Sequence, residues 1–344
     1  MSPSLLYKFL RPLLFAMPPE FAHSLAINTL RLIGKSRIAW PVANDDPREA
    51  VTLFGLRFPN RVGIAAGFDK NGVCIDGLAA IGFGFVEVGT VTPQPQSANP
   101  GPRMFRDPAG RALVNRLGFN NLGVDRLVEN LRRRKFTGIC GVNIGKNRDT
   151  AIENAGDDYE FCFTRVAPIA DYVTLNLSSP NTPGLRKLQD REYLLPILRR
   201  IHACREGLQN ARTVPILAKL APDLGDEQLD AIASFAAEHL IDGVIATNTT
   251  TSRPADSPLR DVAGGMSGAP LHALSVAVVA KLRRLLPRHF PIVGVGGIMS
   301  PEDALRMLDA GADLIQLYTG LVYEGIGLPR RIRRSMLARF TATI

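Results

Sequence analysis

Two lysines, Lys70 and Lys219, each stand in or just past a short apolar run, and five asparagines, Asn115, Asn143, Asn176, Asn181 and Asn248, fall at similar places. A lysine held away from water can form a Schiff base with a carbonyl substrate or stabilise negative charge on a bound group. The asparagines favour the second use. Each supplies amide donors and a carbonyl acceptor, which suits a ligand rich in ring amides and carbonyls, such as a flavin isoalloxazine or a pyrimidine. The densest polar stretch is Asn176-Leu177-Ser178-Ser179-Pro180-Asn181-Thr182-Pro183-Gly184, directly after the alternating run 171–175. These residue types also make ordinary turns, so the stretch gains meaning only from its neighbours. Ser178 and Ser179 have no obvious histidine partner, and no Ser-His-Asp order is visible. No carboxylate pair suits a glycosidase.

The elements that must position these groups repeat one unit: a short apolar strand, a polar or glycine-rich loop, a helix. After an expected hairpin at 51–60, strands are expected at 61–67, 85–92, 138–145, 171–178, 214–222, 243–250, 291–297 and 314–320. Helical patterns lie between them. The clearest is 226–240, with acidic residues in its first turn and Leu229, Ile232, Ala233 and Ala236 on one face. Ser300-Pro301-Glu302-Asp303 opens another, with a serine cap and proline at the first helical position. Strands alternating with helices imply a parallel sheet, and eight such units imply a closed (β/α)8 TIM barrel. The rival, an open doubly wound sheet, lacks its glycine fingerprint in the first βα turn. Polar residues end nearly every strand: Lys70, Thr90, Asn143, Asn176, Lys219, Thr247 with Asn248, Gly296-Gly297, and Tyr318-Thr319-Gly320. Barrel active sites occupy that rim, and the glycines after strands seven and eight predict a phosphate site.

The first forty residues read as two helices ahead of the barrel. Ser2-Pro3 caps the first, whose stripe is Leu5, Leu6, Phe9, Leu10, Leu13 and Leu14; the second runs from Phe21 to Gly34. Lys8, Arg11, Arg31, Lys35 and Arg37 make the segment basic. Charges and prolines interrupt the apolar positions, which argues against a secretory signal. A helical cap and an amphipathic pair lying in a membrane interface both fit. Residues 41–50 read as a linker, which gives a helical segment 1–40 and a catalytic barrel 41–344.

Composition adds exclusions. The chain of 344 residues is 46% hydrophobic, with a net charge of +9. The basic runs, Arg132-Arg133-Arg134-Lys135 and Arg330, Arg331, Arg333, Arg334 and Arg339, carry no interleaved aromatics and sit in no nucleic-acid module, so solvated helix faces are expected. Cys74, Cys140, Cys162 and Cys204 form no Cys-x-x-Cys pair, and five histidines are scattered, so neither a disulfide framework nor a metal is expected. No apolar run reaches ~20 residues, so no transmembrane helix is expected.

Taken together, the motifs resemble the class 2, membrane-associated and quinone-dependent dihydroorotate dehydrogenases. The matching segments are 63–72 (Gly63 to Gly72), 86–93, 115–121, 143–147, 176–184, 219–223, 246–250 and 264–268, with the two glycine segments of strands seven and eight. The match spans essentially the whole chain. The resemblance implies an FMN-containing barrel that oxidises (S)-dihydroorotate to orotate in pyrimidine synthesis. It makes Ser179 the base that removes the C5 proton while a hydride leaves C6 for the flavin. A serine is a poor base unaided, and Thr182 in the same loop is a candidate helper. It gives the substrate Lys70, Asn115, Arg116, Leu117, Gly118, Phe119, Asn176, Asn181, Asn248 and Thr249. It gives the flavin Ala66, Gly67, Phe68, Asp69, Lys70, Thr90, Asn143, Asn176, Lys219, Thr247, Gly268, Gly297, Tyr318 and Thr319. Lys219 would stabilise charge on the reduced flavin.

The same resemblance turns the N-terminal helices into a tunnel for a membrane quinone, ubiquinone or menaquinone, with His23, Arg106 and Tyr318 near its head. Phe68, where relatives often carry leucine, is expected to be a harmless apolar swap. It further implies a monomer, peripheral on the cytoplasmic face of a bacterial inner membrane, with no nucleic acid partner. Two alternatives stay open: a soluble FMN barrel using a non-quinone acceptor, and a non-catalytic barrel that binds a phosphorylated ligand.

Overall fold

The chain begins with α1 (Pro3–Ala16) and α2 (Pro19–Lys35), then the hairpin β1 (Val51–Leu53) and β2 (Leu56–Phe58). The alternation follows: β3 (Val62–Ile64), α3 (Ile75–Ala80), β4 (Phe85–Val91), β5 (Met104–Asp107), β6 (Ala112–Asn115), α4 (Val124–Arg132), β7 (Ile139–Ile144), α5 (Ala155–Val166), β8 (Tyr172–Asn176), α6 (Arg191–Gly207) and β9 (Ile216–Leu220). The second half adds α7 (Asp226–Ala237), β10 (Gly243–Ala246), β11 (Gly265–Gly268), α8 (His272–Leu285), β12 (Ile292–Val295), α9 (Pro301–Asp309), β13 (Leu314–Leu317), α10 (Thr319–Glu324) and α11 (Leu328–Thr341). This computed structural model describes residues 3–36, 46–182, 184–208 and 213–341. The expected cap at Ser2 and the boundary between residues 40 and 41 lie outside the described residues.

Strands β3, β4, β7, β8, β9, β10, β12 and β13 form a closed parallel barrel, sealed where Ile315 of β13 pairs with Val62 of β3. All eight expected strands are present, each shorter than its apolar run. The helix expected at 226–240 ends at Ala237, and Ser300 caps α9 by accepting the Asp303 N–H at 3.2 Å. Inside the barrel, Phe85, Tyr172, Leu217, Ile245 and Val293 make an apolar plug. The hairpin closes its lower end, with Phe58 edge-on to Phe85 at 5.2 Å between ring centroids.

Three features depart from the sequence reading. Strands β5, β6 and β11 form a separate antiparallel sheet at the barrel mouth, with Asn115 paired to Gly265. Its signal was the turn between two alternating runs, where the Asp107 carboxylate accepts the Gly110 N–H at 2.9 Å. Residues 46–50 are not a loose linker: Glu49 accepts from the buried Arg333 at 2.5 Å. The arginines of α11 are therefore not all solvated, although Leu328, Ile332 and Met336 do pack it as the eighth barrel helix.

The N-terminal helices dock on the rim side. Arg11 donates to the Tyr323 carbonyl at 3.1 Å, and the Tyr7 hydroxyl donates to that of Val322. α2 lies so close to α3 that a Cβ on Gly77 would overlap the Leu30 carbonyl, so this crossing requires glycine. Among the described residues of the two helices Leu30 alone is buried, while Phe9, Leu13, Phe21 and Leu32 are each at least 60% exposed. Among the described residues nothing covers that apolar face. No helix among the described residues is long and apolar enough to cross a membrane.

Candidate active site

The carboxyl ends of the barrel strands open into a polar cavity of about 960 Å³, its open mouth included. Ala66, Gly67 and Lys70 enter from the β3 loop, Thr90 from β4, Asn115 from the end of β6, and Leu117, Gly118 and Phe119 from the loop after it. Asn176, Ser179 and Asn181 enter from the β8 loop, and Lys219, Thr247, Asn248 and Thr249 from β9 and β10. Gly268, Gly297, Tyr318 and Thr319 complete the expected set on the wall. Residues as far as 253 positions apart, Ala66 and Thr319, thus share one surface because each ends a neighbouring strand or pairs above one.

The cavity's polar groups are held by one another. Asn181 Nδ2 donates to Asn115 Oδ1 at 3.1 Å, and Asn248 Nδ2 donates to Asn176 Oδ1 at 3.2 Å. Asn176 Nδ2 donates in turn to Thr90 Oγ1 at 2.7 Å. Ser179 is buried, and its Oγ accepts the Asn181 N–H at 3.3 Å. The loop 115–121 is pinned from outside: Gln96 Nε2 reaches the Gly118 carbonyl at 2.8 Å, and Asn99 Nδ2 the Arg116 carbonyl at 3.0 Å. Phe119 is held at a φ of 55°, in the left-handed region that a ring-bearing residue rarely adopts. Such crossed bonding orients the groups before any ligand arrives.

Burial lowers the Lys70 ammonium to a pKa of about 8, with Asp69 and Glu20 opposing the shift. It lowers Lys219 too, against the pull of Glu87. Both lysines face the cavity. Gln316 adds an acceptor that the sequence reading missed: its Oε1 is buried without a partner, and the residue lines the wall. The first amides of α10, at Thr319 and Gly320, have no partner within their helix by helix geometry. Gly297, at φ +64°, lies beside them, where a Cβ would fall 2.6 Å from the His272 nitrogen.

Four expected contacts do not line this cavity. Asp69 is buried behind the wall and accepts the Val73 and Cys74 N–H groups at 3.0 and 2.7 Å. Asn143 lies beneath the floor, accepting from Thr90 Oγ1 at 2.6 Å. Arg116 turns its guanidinium outward to the Pro102 carbonyl at 3.0 Å. Phe68 faces a different cavity. Thr182, the candidate helper for Ser179, is buried but absent from the cavity wall.

That second cavity runs under α1 and α2, with about 1530 Å³ of empty space on the same measure. Its walls are Leu6, Leu10, Leu13, Leu14, Ala22, Leu25 and Ile33, together with Phe68, His23, Arg106 and Tyr318. Tyr318 lines both cavities, and its hydroxyl donates to the Gly67 carbonyl at 3.3 Å. Phe68 stands edge-on to Tyr318 at 5.7 Å and to His23 at 5.3 Å, so three rings form the partition. Phe68 is therefore more than an apolar filler. Burial, then the Lys70 charge, pushes the His23 imidazole down to about 4. Arg106 donates to the carbonyls of Leu14 and Met17 and lies 4.8 Å over the Phe15 ring. It thus caps the end of α1 as well as lining the cavity.

Comparison with known proteins gives one answer throughout. The family model described as dihydroorotate dehydrogenase matches residues 49–340. The dihydroorotate dehydrogenase (quinone) of Coxiella burnetii is 48% identical over 332 residues, covering 95% of this chain and 96% of that one. That of Xanthomonas campestris pv. campestris is 50% identical over 325 residues, covering 93% of each. Two crystal structures of DHODH from Eimeria tenella are each 38% identical to this chain. The ferulenol complex has a TM-score of 0.87 and covers 94% of this chain and 92% of its own. The ligand-free form has a TM-score of 0.88 and covers 94% and 96%.

Proposed function

The chain belongs to the dihydroorotate dehydrogenase family, and we infer that it oxidises (S)-dihydroorotate to orotate with a quinone as the electron acceptor. The observation that carries this is the meeting of two unlike cavities at one aromatic partition. A polar chamber suits a charged pyrimidine, and an apolar one suits a quinone. Orotate is an intermediate of pyrimidine synthesis, which sets the physiological role.

The cofactor is FMN. The chamber fits it on three counts: the orphan acceptor of Gln316, the glycines after β12 and β13 beside first-turn amides of α10 that have no partner inside their helix, and Lys219, which among the described residues has no acid at ion-pair distance. Gly268, Gly297, Tyr318 and Thr319 would hold the phosphate end, and Ala66, Gly67, Lys70, Thr90, Asn176, Lys219 and Thr247 the ring. Bound there, FMN supplies the two-electron acceptor that no side chain provides.

The protein's own part is binding, orientation and one proton transfer. Asn115, Asn181, Asn176 and Asn248 match the ring amides of dihydroorotate, with Thr249 and the loop 116–119 beside them. Lys70 is a cation below pH 8 or so and meets the substrate carboxylate. Ser179 takes the C5 proton through its Oγ. A serine hydroxyl is a weak base, so its action depends on a dry, pre-oriented setting. The buried position of Ser179 and the Asn181 N–H on its oxygen support that setting.

Residues 1–40 form the quinone segment and 41–344 the catalytic barrel. His23, Arg106 and Tyr318 stand where a quinone head, ubiquinone or menaquinone, would approach the partition. The exposed leucines and phenylalanines of α1 and α2, beside Lys8, Arg31 and Lys35, support peripheral binding to an anionic membrane. The reading places the enzyme on the cytoplasmic face of a bacterial inner membrane, as a monomer, since one chain builds both cavities.

The direct test is optical. Purified protein should be yellow, bleach when mixed anaerobically with dihydroorotate, and recolour on adding a short-chain quinone. A colourless protein would leave only the ligand-binding alternative, and recolouring by soluble dyes but not quinone would favour another acceptor.

A further inference from the structure

Outside both cavities, one ion pair joins α2 to the segment that holds the pyrimidine loop. Glu20 lies in the first turn of α2, where the helix dipole favours an acid. Its carboxylate accepts from both arms of Arg103, the residue just ahead of β5: Nε donates to Oε1 at 3.1 Å, and Nη2 donates to Oε2. Among the described residues no other ion pair joins α1 or α2 to the barrel. No step of the reaction described above uses it.

Arg103 is bound on its other side to the loop 116–119. Its carbonyl accepts the Arg116 N–H at 2.8 Å, and its Nη1 donates to the Asn99 carbonyl at 3.3 Å. Asn99 continues the path inward. Its N–H donates to the Leu117 carbonyl at 3.1 Å, and its Nδ2 to that of Arg116 at 3.0 Å. The Asn99 amide lies so close over Gly118 that a Cβ there would fall 2.6 Å from its Oδ1. Leu117, Gly118 and Phe119 then form part of the rim cavity wall. Phe119, at a φ of 55°, holds a conformation that persists only where its surroundings fix it. A continuous path therefore runs from the first turn of α2, through Arg103 and Asn99, to a loop on the pyrimidine side.

We propose that Arg103 is a positioning residue: with Glu20 it latches α2 to the loop 116–119, so that the substrate loop is held in its binding shape by the docked N-terminal helices. This rests on the reading of the rim cavity as the dihydroorotate chamber. A chain whose quinone segment is in place thus binds the pyrimidine more tightly than one whose segment is loose, and the linkage is mutual. The latch stands ten residues ahead of Leu30, so a displacement at the Gly77 crossing leaves it closed. The Arg103 and Glu20 side chains are 29% and 34% exposed, and solvent screening holds the effect to a few-fold.

The test is the orotate affinity of the full-length, flavin-loaded protein, read from the change in flavin absorbance on titration. Glu20→Gln and Arg103→Gln should each weaken orotate by about two- to fivefold, the scale of a partly exposed bidentate pair. The limiting rate of flavin reduction at saturating dihydroorotate should stay within about twofold of wild type, as for a loss of binding alone. Two opposite charges acting only through their fields would move the affinity for an anion in opposite directions. A latch broken from either end moves it the same way. The double variant Glu20→Gln/Arg103→Gln should lose no more than the weaker-binding single variant, because one contact breaks only once. Opposite shifts, an unchanged affinity in either single variant, or losses that multiply in the double variant would each overturn the proposal. Should Arg103→Gln fail to fold, Arg103→Lys decides. It keeps the charge and removes the fork, so orotate must still weaken, and unchanged affinity refutes the latch. A flavin-loaded wild-type protein that does not bind orotate would refute the reading of the chamber instead, which is a separate result.

Discussion

The rim cavity and the cavity under α1 and α2 share a wall and little else. One is built from amides, hydroxyls and two lysines, set at the ends of strands whose barrel fixes them. The other is built largely from leucines on two helices in which, among the described residues, only Leu30 is buried. Charge and hydrogen bonding discriminate among polar ligands by direction, and a rigid scaffold keeps those directions. An apolar chamber discriminates by shape and exclusion of water, and tolerates movement of its walls. The difference teaches that the two half-reactions use separate structural resources, which meet at the partition of His23, Phe68 and Tyr318.

The largest expected effect falls on the rim alone. Ser179→Ala should slow flavin reduction by dihydroorotate about 10²- to 10⁴-fold, the range of general base catalysis, while reoxidation by quinone is unchanged in stopped flow. Unaltered reduction would remove Ser179 from its role, and equal losses in both halves would break the division between the cavities.

Removing residues 1–40 should do the reverse. Quinone turnover should fall at least about a hundredfold, equivalent to losing about 2.7 kcal/mol of apolar burial. Turnover with a soluble dye should persist. Intact quinone reduction would make the helices a simple cap.

A subtler change sharpens the same contrast. Gly77→Ala puts a methyl group against the Leu30 carbonyl. It should cost about 1–3 kcal/mol as overpacking and raise the quinone KM several-fold by lifting α2, with the dihydroorotate KM unmoved. Thermal melts and paired steady-state assays check both parts.

The smallest effect is in pH. Lys70, lowered to about 8, is charged below that pH and neutral above it. Orotate affinity should therefore be constant below pH 7 and weaken as pH rises through 8, by at most about tenfold per unit, since one proton is at stake. His23, lowered to about 4, is already neutral across this range, so the quinone KM should stay flat. A quinone KM that titrates near 6.5 would place His23 in a wetter site than its burial implies.

Much of the rim was legible because strand period and strand-end residue type are local properties. An apolar run ending in Lys219 or Asn176 announces both the strand and the group it delivers. The loop behind Ser179 was legible on the same ground. Less legible were contacts across the sheet. Glu87 was visible as an acid in the alternating run Phe85-Val86-Glu87-Val88, yet its partners Tyr172 and Gln316 lie 85 and 229 residues away. Phe68 read as an interchangeable apolar residue because only its edge-on contacts with His23 and Tyr318 give it a place. Strands β5 and β6 were short enough to pass as loop.

The sequence alone determined the alternation of strand and helix, the barrel it implies, and the chemical types gathered at one end. These depend on hydrophobic period and on residues near one another in the chain. Tertiary structure decided which polar groups face the cavity and which lie behind it, as with Asp69 and Asn143. It also decided that two chambers meet at one aromatic partition and that a buried acid, Glu87, is held by Asn143, Tyr172 and Gln316 inside the barrel. Those outcomes depend on register between strands and on the crossing of α2 over Gly77, where contacts between distant residues, and not local preference, fix the geometry.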